Sequence, residues 1–129
     1  MVIIDTSVWI EAFRHQDCAE RGEVDDLLAK NQVVMAGPVL AEVLQGARTE
    51  AERLRLEVTL QALPFIEADR GDWAKAGELS FGLRRQGRTI PLTDLLVAVL
   101  AIENGHTIYA LDRHFQSIPG VKLHEPGAA

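Results

Sequence analysis

A run of three aliphatic residues, Val2-Ile3-Ile4, stops on Asp5-Thr6-Ser7, and this abrupt change of polarity constrains the fold more than any other stretch. Three consecutive aliphatics suit a strand buried on both faces, and the segment Val8 to Phe13 suits a helix leaving it. An acid at such a turn has two uses. It can cap the helix, a role that Asp and Ser favour. It can also be a metal ligand at the carboxyl end of a central strand, where open α/β sheets gather their ligands. The other acids decide between the two.

The alternation continues along the chain. Glu23 to Lys30 carries Val24, Leu27 and Leu28 at helical spacing, after a polar, turn-like stretch from Arg14 to Gly22. Val33 to Ala36 predicts a second strand, and Gly37-Pro38 starts a helix running to Gln45 whose one charge is Glu42. Thr49 with Glu52 has the form of a capping box and opens a helix to about Leu63. Phe65 to Ala68 predicts a short third strand, and Asp72 to Gln86 an amphipathic helix. Leu95 to Ile102 is apolar all round, as a helix buried among other elements is. Thr107 to Leu111 predicts a fourth strand stopping at Asp112, and Val121 to Leu123 a short fifth.

Strands alternating with helices imply an α/β fold with a mostly parallel sheet of four or five strands, covered on both faces. At 129 residues the chain is expected to form a single domain over residues 1–125, with a frayed tail at 126–129. The single cysteine, Cys18, excludes an intrachain disulfide and fits a reducing compartment. Asp5 interrupts the first apolar run and no run approaches a membrane span, so a cytoplasmic protein is expected. A net charge of -6 argues against indiscriminate binding of nucleic acid through a basic surface. It leaves a nucleic-acid enzyme open, because bound divalent cations reverse the local sign.

In a parallel sheet every strand end and every following helix start lies on one edge, which brings four acids together. Asp5 and Asp112 end strands, Glu42 sits in the second turn of its helix, and Asp94 opens the buried helix. Each interrupts or ends a stretch without other charges. As a cap Asp94 would be ordinary, since it follows Thr93. Four carboxylates on one edge with no Lys or Arg inside the apolar runs instead call for a cation, because unpaired buried carboxylates are costly. A hard divalent ion with oxygen ligands, Mg²⁺ or Mn²⁺, is the economical choice.

Asp5-Thr6-Ser7 at the first strand end, Glu42 with Gly46 four later, Pro91 three before Asp94, and Leu111-Asp112 followed by Phe115 together resemble a PIN-domain ribonuclease. The length and acid spacing are similar to those of the VapC toxins of bacterial toxin-antitoxin systems. The resemblance implies a three-layer α/β/α sandwich with strand order 3-2-1-4-5. It also implies that Asp5, Glu42, Asp94 and Asp112 hold Mg²⁺ or Mn²⁺ for hydrolysis of RNA phosphodiesters, with the hydroxyls of Thr6 or Ser7 in support. A VapB-like antitoxin is the implied partner, its tail covering the acidic edge with a basic side chain. One position departs from the pattern: many relatives have Thr or Ser two residues before the last acid, where this chain has Ala110.

Candidate phosphate contacts are Arg14, His15, Arg48, Arg84, Arg85, Arg88, Arg113 and His114, each also readable as solvated surface. Trp9 and Phe13 read as core or as partner-facing residues. The histidines show no paired metal-ligand spacing. The helix from Thr49 to Leu63 carries Leu54 with Val58 on one side and Leu56 with Leu60 and Leu63 on another, and a homodimer that Leu56→Lys with Leu60→Lys would break is expected. Two other readings stay open. A receiver-like Mg²⁺-binding signalling domain would use a phosphoacceptor after the third strand, where Asp69 stands, but lacks the second acid beside Asp5. A catalytically silent scaffold of the same fold would not need the intact acid set.

Overall fold

The computed structural model describes residues 1–127, and residues 128–129 of the expected tail lie outside them. Four strands, β1 (Val2–Ile4), β2 (Val33–Ala36), β3 (Phe65–Ile66) and β4 (Thr107–Tyr109), form one sheet in the order β3-β2-β1-β4. Every pairing is parallel. All seven residues of β1 and β2 are buried, so both faces of the central strands are covered, as unbroken aliphatic runs require. Strand order reverses at β1, which is flanked by β2 on one side and by β4, last in sequence, on the other. Open parallel sheets have their cleft outside that reversal, at the carboxyl ends of the strands.

The helices are α1 (Thr6–Arg14), α2 (Ala19–Ala29), α3 (Gly37–Gln45), α4 (Glu50–Gln61), α5 (Arg70–Arg85) and α6 (Leu92–Asn104). Leu95 to Ala101 of α6 are all buried, which is why this helix is apolar on every side. It ends at Gly105, whose φ of 69° is a left-handed cap conformation that suits glycine. Trp9, Phe115, Ile3, Ile4 and Met35 are among the largest side chains fully enclosed in the core. No helix among the described residues is long and apolar enough to cross a membrane.

Several boundaries differ from the sequence expectation, each for a local reason. Helix α2 begins at Ala19 rather than Glu23, because the Cys18 sulfur caps it by accepting from the Arg21 N–H at 3.3 Å. Helix α5 begins at Arg70 because Asp69 and Asp72 bond each other's backbone N–H groups in a capping box. Strand β3 has two residues, not four. Strand β4 stops at Tyr109, and the Leu111 N–H turns instead to the Ser7 hydroxyl. The expected fifth strand reduces to a single parallel bridge between Leu123 and Ile108, since a 3-10 turn (Arg113–Ser117) uses up the chain before it.

The dimer face expected at Leu56 and Leu60 of α4 is corrected: both are buried in this chain's own core, because they pack inward on it, whereas Leu54 and Val58 are 49% and 75% exposed. The surplus face is therefore that of Leu54 and Val58. At the other end of the chain, Pro126 and Gly127 form a turn whose Gly127 N–H donates to Glu23 of α2 at 3.0 Å, so this part of the expected tail is tied down.

Candidate metal centre

Asp5 combines the two uses open to it. Its Oδ2 caps α1 by accepting from the Ser7 N–H at 3.3 Å, while the residue is 8% exposed at the carboxyl end of β1. The Ser7 hydroxyl donates to the same Oδ2 at 2.8 Å and accepts from the Leu111 N–H at 3.2 Å. One small side chain thus joins the end of β1 to the loop that carries Asp112. Ala110 cannot supply such a bond, and Ser7 provides one from the opposite side. The Thr6 hydroxyl is buried at this edge without a hydrogen-bond partner.

Glu42 enters from α3, which starts directly from β2 with Pro38 in its first turn. Burial, then the charge of Asp94, pushes its carboxyl above the ordinary carboxylate range. The Thr93 and Thr6 hydroxyls beside it pull the other way, and the charge of Asp5 adds to the rise.

Asp94 lies in the first turn of α6 but does not cap it. The helix starts at Leu92 behind Pro91, with no side-chain cap bond, and the carboxylate faces the acidic edge instead. Burial raises its proton affinity above the usual range; the bond to His114 opposes this, and the charges of Asp5 and Asp112 reinforce it. Carboxylates brought into one partly dry site repel one another's ionised forms.

Asp112 begins the 3-10 turn, its Oδ1 accepting from the His114 N–H at 2.9 Å. Phe115, 1% exposed, anchors that turn in the core. The His114 imidazole then folds back between two acids, its Nδ1 3.0 Å from Asp94 Oδ2 and 3.2 Å from Asp112 Oδ2. These three residues are the group whose ligand atoms lie closest together, all within 4.8 Å, with Asp5 and Glu42 outside that circle. Asp94 holds the His114 proton more tightly than usual. The sequence alone marks His114 only as a phosphate-contact candidate. Its signal was local, a residue two after a capping Asp, and pairwise histidine spacing does not detect it.

The basic candidates divide by what they already hold. Arg14 donates to the Gly46 carbonyl at 2.9 Å and so closes the end of α3, which leaves it less free for RNA. Arg88 donates to the Ser117 carbonyl at 2.6 Å, and Arg85 lies over the Phe81 ring at 5.5 Å. Arg48, Arg84 and Arg113 are exposed, and His15 lies 3.6 Å from Glu11. Trp9 is core and Phe13 is 37% exposed. Asp69 is committed to the cap of α5, as a structural acid would be.

Four carboxylates, at the end of β1, on α3, on α6 and at the start of the 3-10 turn, make a donor set that suits a hard divalent cation. Among the described residues no Lys or Arg pairs with any of the four acids; the only cationic partner is His114. The Thr6 and Thr93 hydroxyls stand beside Glu42 at the same edge and add neutral oxygen groups to it.

The PIN domain family matches residues 2–121. A VapC ribonuclease of Mycobacterium bovis and ribonuclease VapC11 of Mycobacterium tuberculosis are each 34% identical over 122 residues, spanning 92% of this chain and 91% of theirs. In three dimensions the chain resembles VapBC2 from Rickettsia felis, solved bound to a DNA fragment from its promoter. The TM-score is 0.79 at 23% identity, covering 96% of this chain and 98% of that one. Fold, sequence and the arrangement of acids agree across nearly the whole length: the chain belongs to the PIN domain family.

Proposed function

We propose that this protein is an RNA-cleaving hydrolase, a metal-dependent endoribonuclease that serves as the toxin of a VapBC-type toxin-antitoxin pair. The observation that carries this reading is that Asp5, Glu42, Asp94 and Asp112 lie close enough to act on one another's charge at one sheet edge, with no Lys or Arg among the described residues paired to them. These acids would hold Mg²⁺ or Mn²⁺. When bound, the ion would supply an acidified water and charge stabilisation for in-line attack on an RNA phosphodiester.

The protein groups have separate tasks in that reading. Ser7 fixes the Asp5 carboxylate through two bonds to one oxygen, leaving the other oxygen for the ion. Glu42, entering from α3 with the Thr93 and Thr6 hydroxyls beside it, would complete the set of carboxylates around the ion. Exposed Arg113, beside Asp112, contacts the RNA backbone, and Arg84 extends that contact further away. An antitoxin of VapB type silences the enzyme by covering the acidic edge with a basic side chain. Two copies of the chain pair through the exposed Leu54 and Val58 of α4. Changing both to Lys should yield monomers by light scattering, and an unchanged mass in a folded variant would refute that interface.

The decisive test incubates the purified chain with total RNA, with and without a chelator. Cleavage that vanishes with chelator, returns with Mg²⁺ or Mn²⁺ and is absent in Asp94→Asn is expected. Cleavage that ignores both would remove the metal mechanism.

A further inference from the structure

The four-acid scheme leaves out the residue that sits between two of its members. Nδ1 of His114 is 3.0 Å from Asp94 Oδ2 and 3.2 Å from Asp112 Oδ2. Donors about 2.1 Å from an octahedral ion lie about 3 Å apart when they occupy adjacent positions. The observed spacings therefore match adjacent ligand positions around one ion.

The imidazole is also held where it is. Its backbone N–H donates to Asp112 Oδ1, its carbonyl accepts from the Ser117 hydroxyl at 3.0 Å, and Phe115 pins the next residue in the core. Ligands fixed in this way by their surroundings bind more tightly than free ones. The His114 side chain is 41% exposed, so an ion can reach it from solvent.

We propose that His114 is a metal ligand of this centre, binding through Nδ1 between Asp94 and Asp112, and that it tilts the site toward Mn²⁺ over Mg²⁺. The proposal rests on the metal-dependent reading above and adds a nitrogen donor to it. Imidazole suits borderline transition ions, whereas Mg²⁺ prefers oxygen alone, so a nitrogen in the set favours Mn²⁺. Coordination needs the neutral ring with its proton on Nε2, the tautomer that frees Nδ1.

The test loads chelator-stripped protein with less than one equivalent of Mn²⁺ and records pulsed electron paramagnetic resonance. The expected spectrum shows ¹⁴N modulation from a directly bound imidazole in the parent and none in His114→Ala. By calorimetry, Mn²⁺ should bind the variant about tenfold more weakly, with a smaller loss for Mg²⁺. Mn²⁺ bound by the parent without ¹⁴N modulation overturns the proposal while leaving the four-acid site intact, and so does modulation that survives in His114→Ala. Equal losses for the two ions overturn the preference. Failure of the parent to bind Mn²⁺ at all overturns the metal-dependent reading together with this one. Because the parent spectrum alone reports the nitrogen, the outcome does not depend on the variant folding.

Discussion

Two histidines of this chain hold carboxylates at nearly the same distance and do opposite things with them. His124 meets Glu23 at 2.9 Å, with both side chains 12% exposed, and Glu23 also accepts from the Gly127 N–H. Its ring lies against Tyr109, with centroids 5.2 Å apart. That is one acid, one base and a full set of bonds, and it fastens the end of the chain to α2. His114 instead faces two acids, with Asp5 close enough to raise the proton affinities of Glu42 and Asp94. The first cluster is balanced and shifts Glu23 below its ordinary range, chiefly through the bond to His124. The second has surplus negative charge, and Glu42 and Asp94 lie above theirs, first through burial and then through the neighbouring acids. A balanced pair makes structure, and an unbalanced one waits for a cation.

The comparison breaks first on Asp94→Asn. Removing a charge from the crowded edge should leave the metal-free protein as stable as the parent or more so, by about 1 kcal/mol. RNA cleavage should fall by orders of magnitude, and added Mg²⁺ should raise the melting temperature less than in the parent. If activity survives and the metal response is unchanged, Asp94 belongs with the structural acids.

The balanced cluster predicts the reverse pattern. His124→Ala leaves Glu23 half-buried without its main partner, so stability should fall by about 1–3 kcal/mol by denaturant unfolding. RNA cleavage below the transition should stay near the parent's, since neither residue lies at the acidic edge. A loss of cleavage larger than the loss of folded protein would show that the latch reaches the site through Tyr109 and the loop after it.

The two clusters also differ in how visible they were in the sequence. Asp5, Glu42 and Asp94 were legible because each breaks an apolar run, and parallel-sheet geometry then sends such breaks to one edge. Asp112 was legible as a strand end, although the strand stops three residues earlier. His114 was not, because its place depends on a 3-10 turn set by Asp112 and anchored by Phe115, which no periodicity records. The His124 latch joins residues 101 apart through tertiary packing alone. Helix α4 shows the same limit on a larger scale. Its two apolar sides were plain, but only packing shows that Leu56 and Leu60 face inward and Leu54 and Val58 outward.

The smallest effect expected is on pH dependence, and there the clusters oppose each other in sign. For Glu23 the folded value lies below its ordinary 4.5, so its contribution is present above that pH and lost as pH falls through the folded value. For Glu42, Asp94 and His114 the folded values lie above the ordinary 4.5, 3.8 and 6.5. Each contributes stability that is complete below its ordinary value and lost as pH rises through the folded one. In chelator, the melting temperature should therefore decline as pH rises above the ordinary values of the metal-centre groups, and decline as pH falls below 4.5 partly because of the latch. Asp94→Asn should flatten the first decline, and Glu23→Gln the second, read by calorimetry from about pH 2 to about pH 9. Saturating Mg²⁺ should oppose the first decline in the parent, because a cation takes over the charge that His114 alone balances in its absence. If both substitutions alter the same limb, the two histidine pairs do not differ as their charge balance implies.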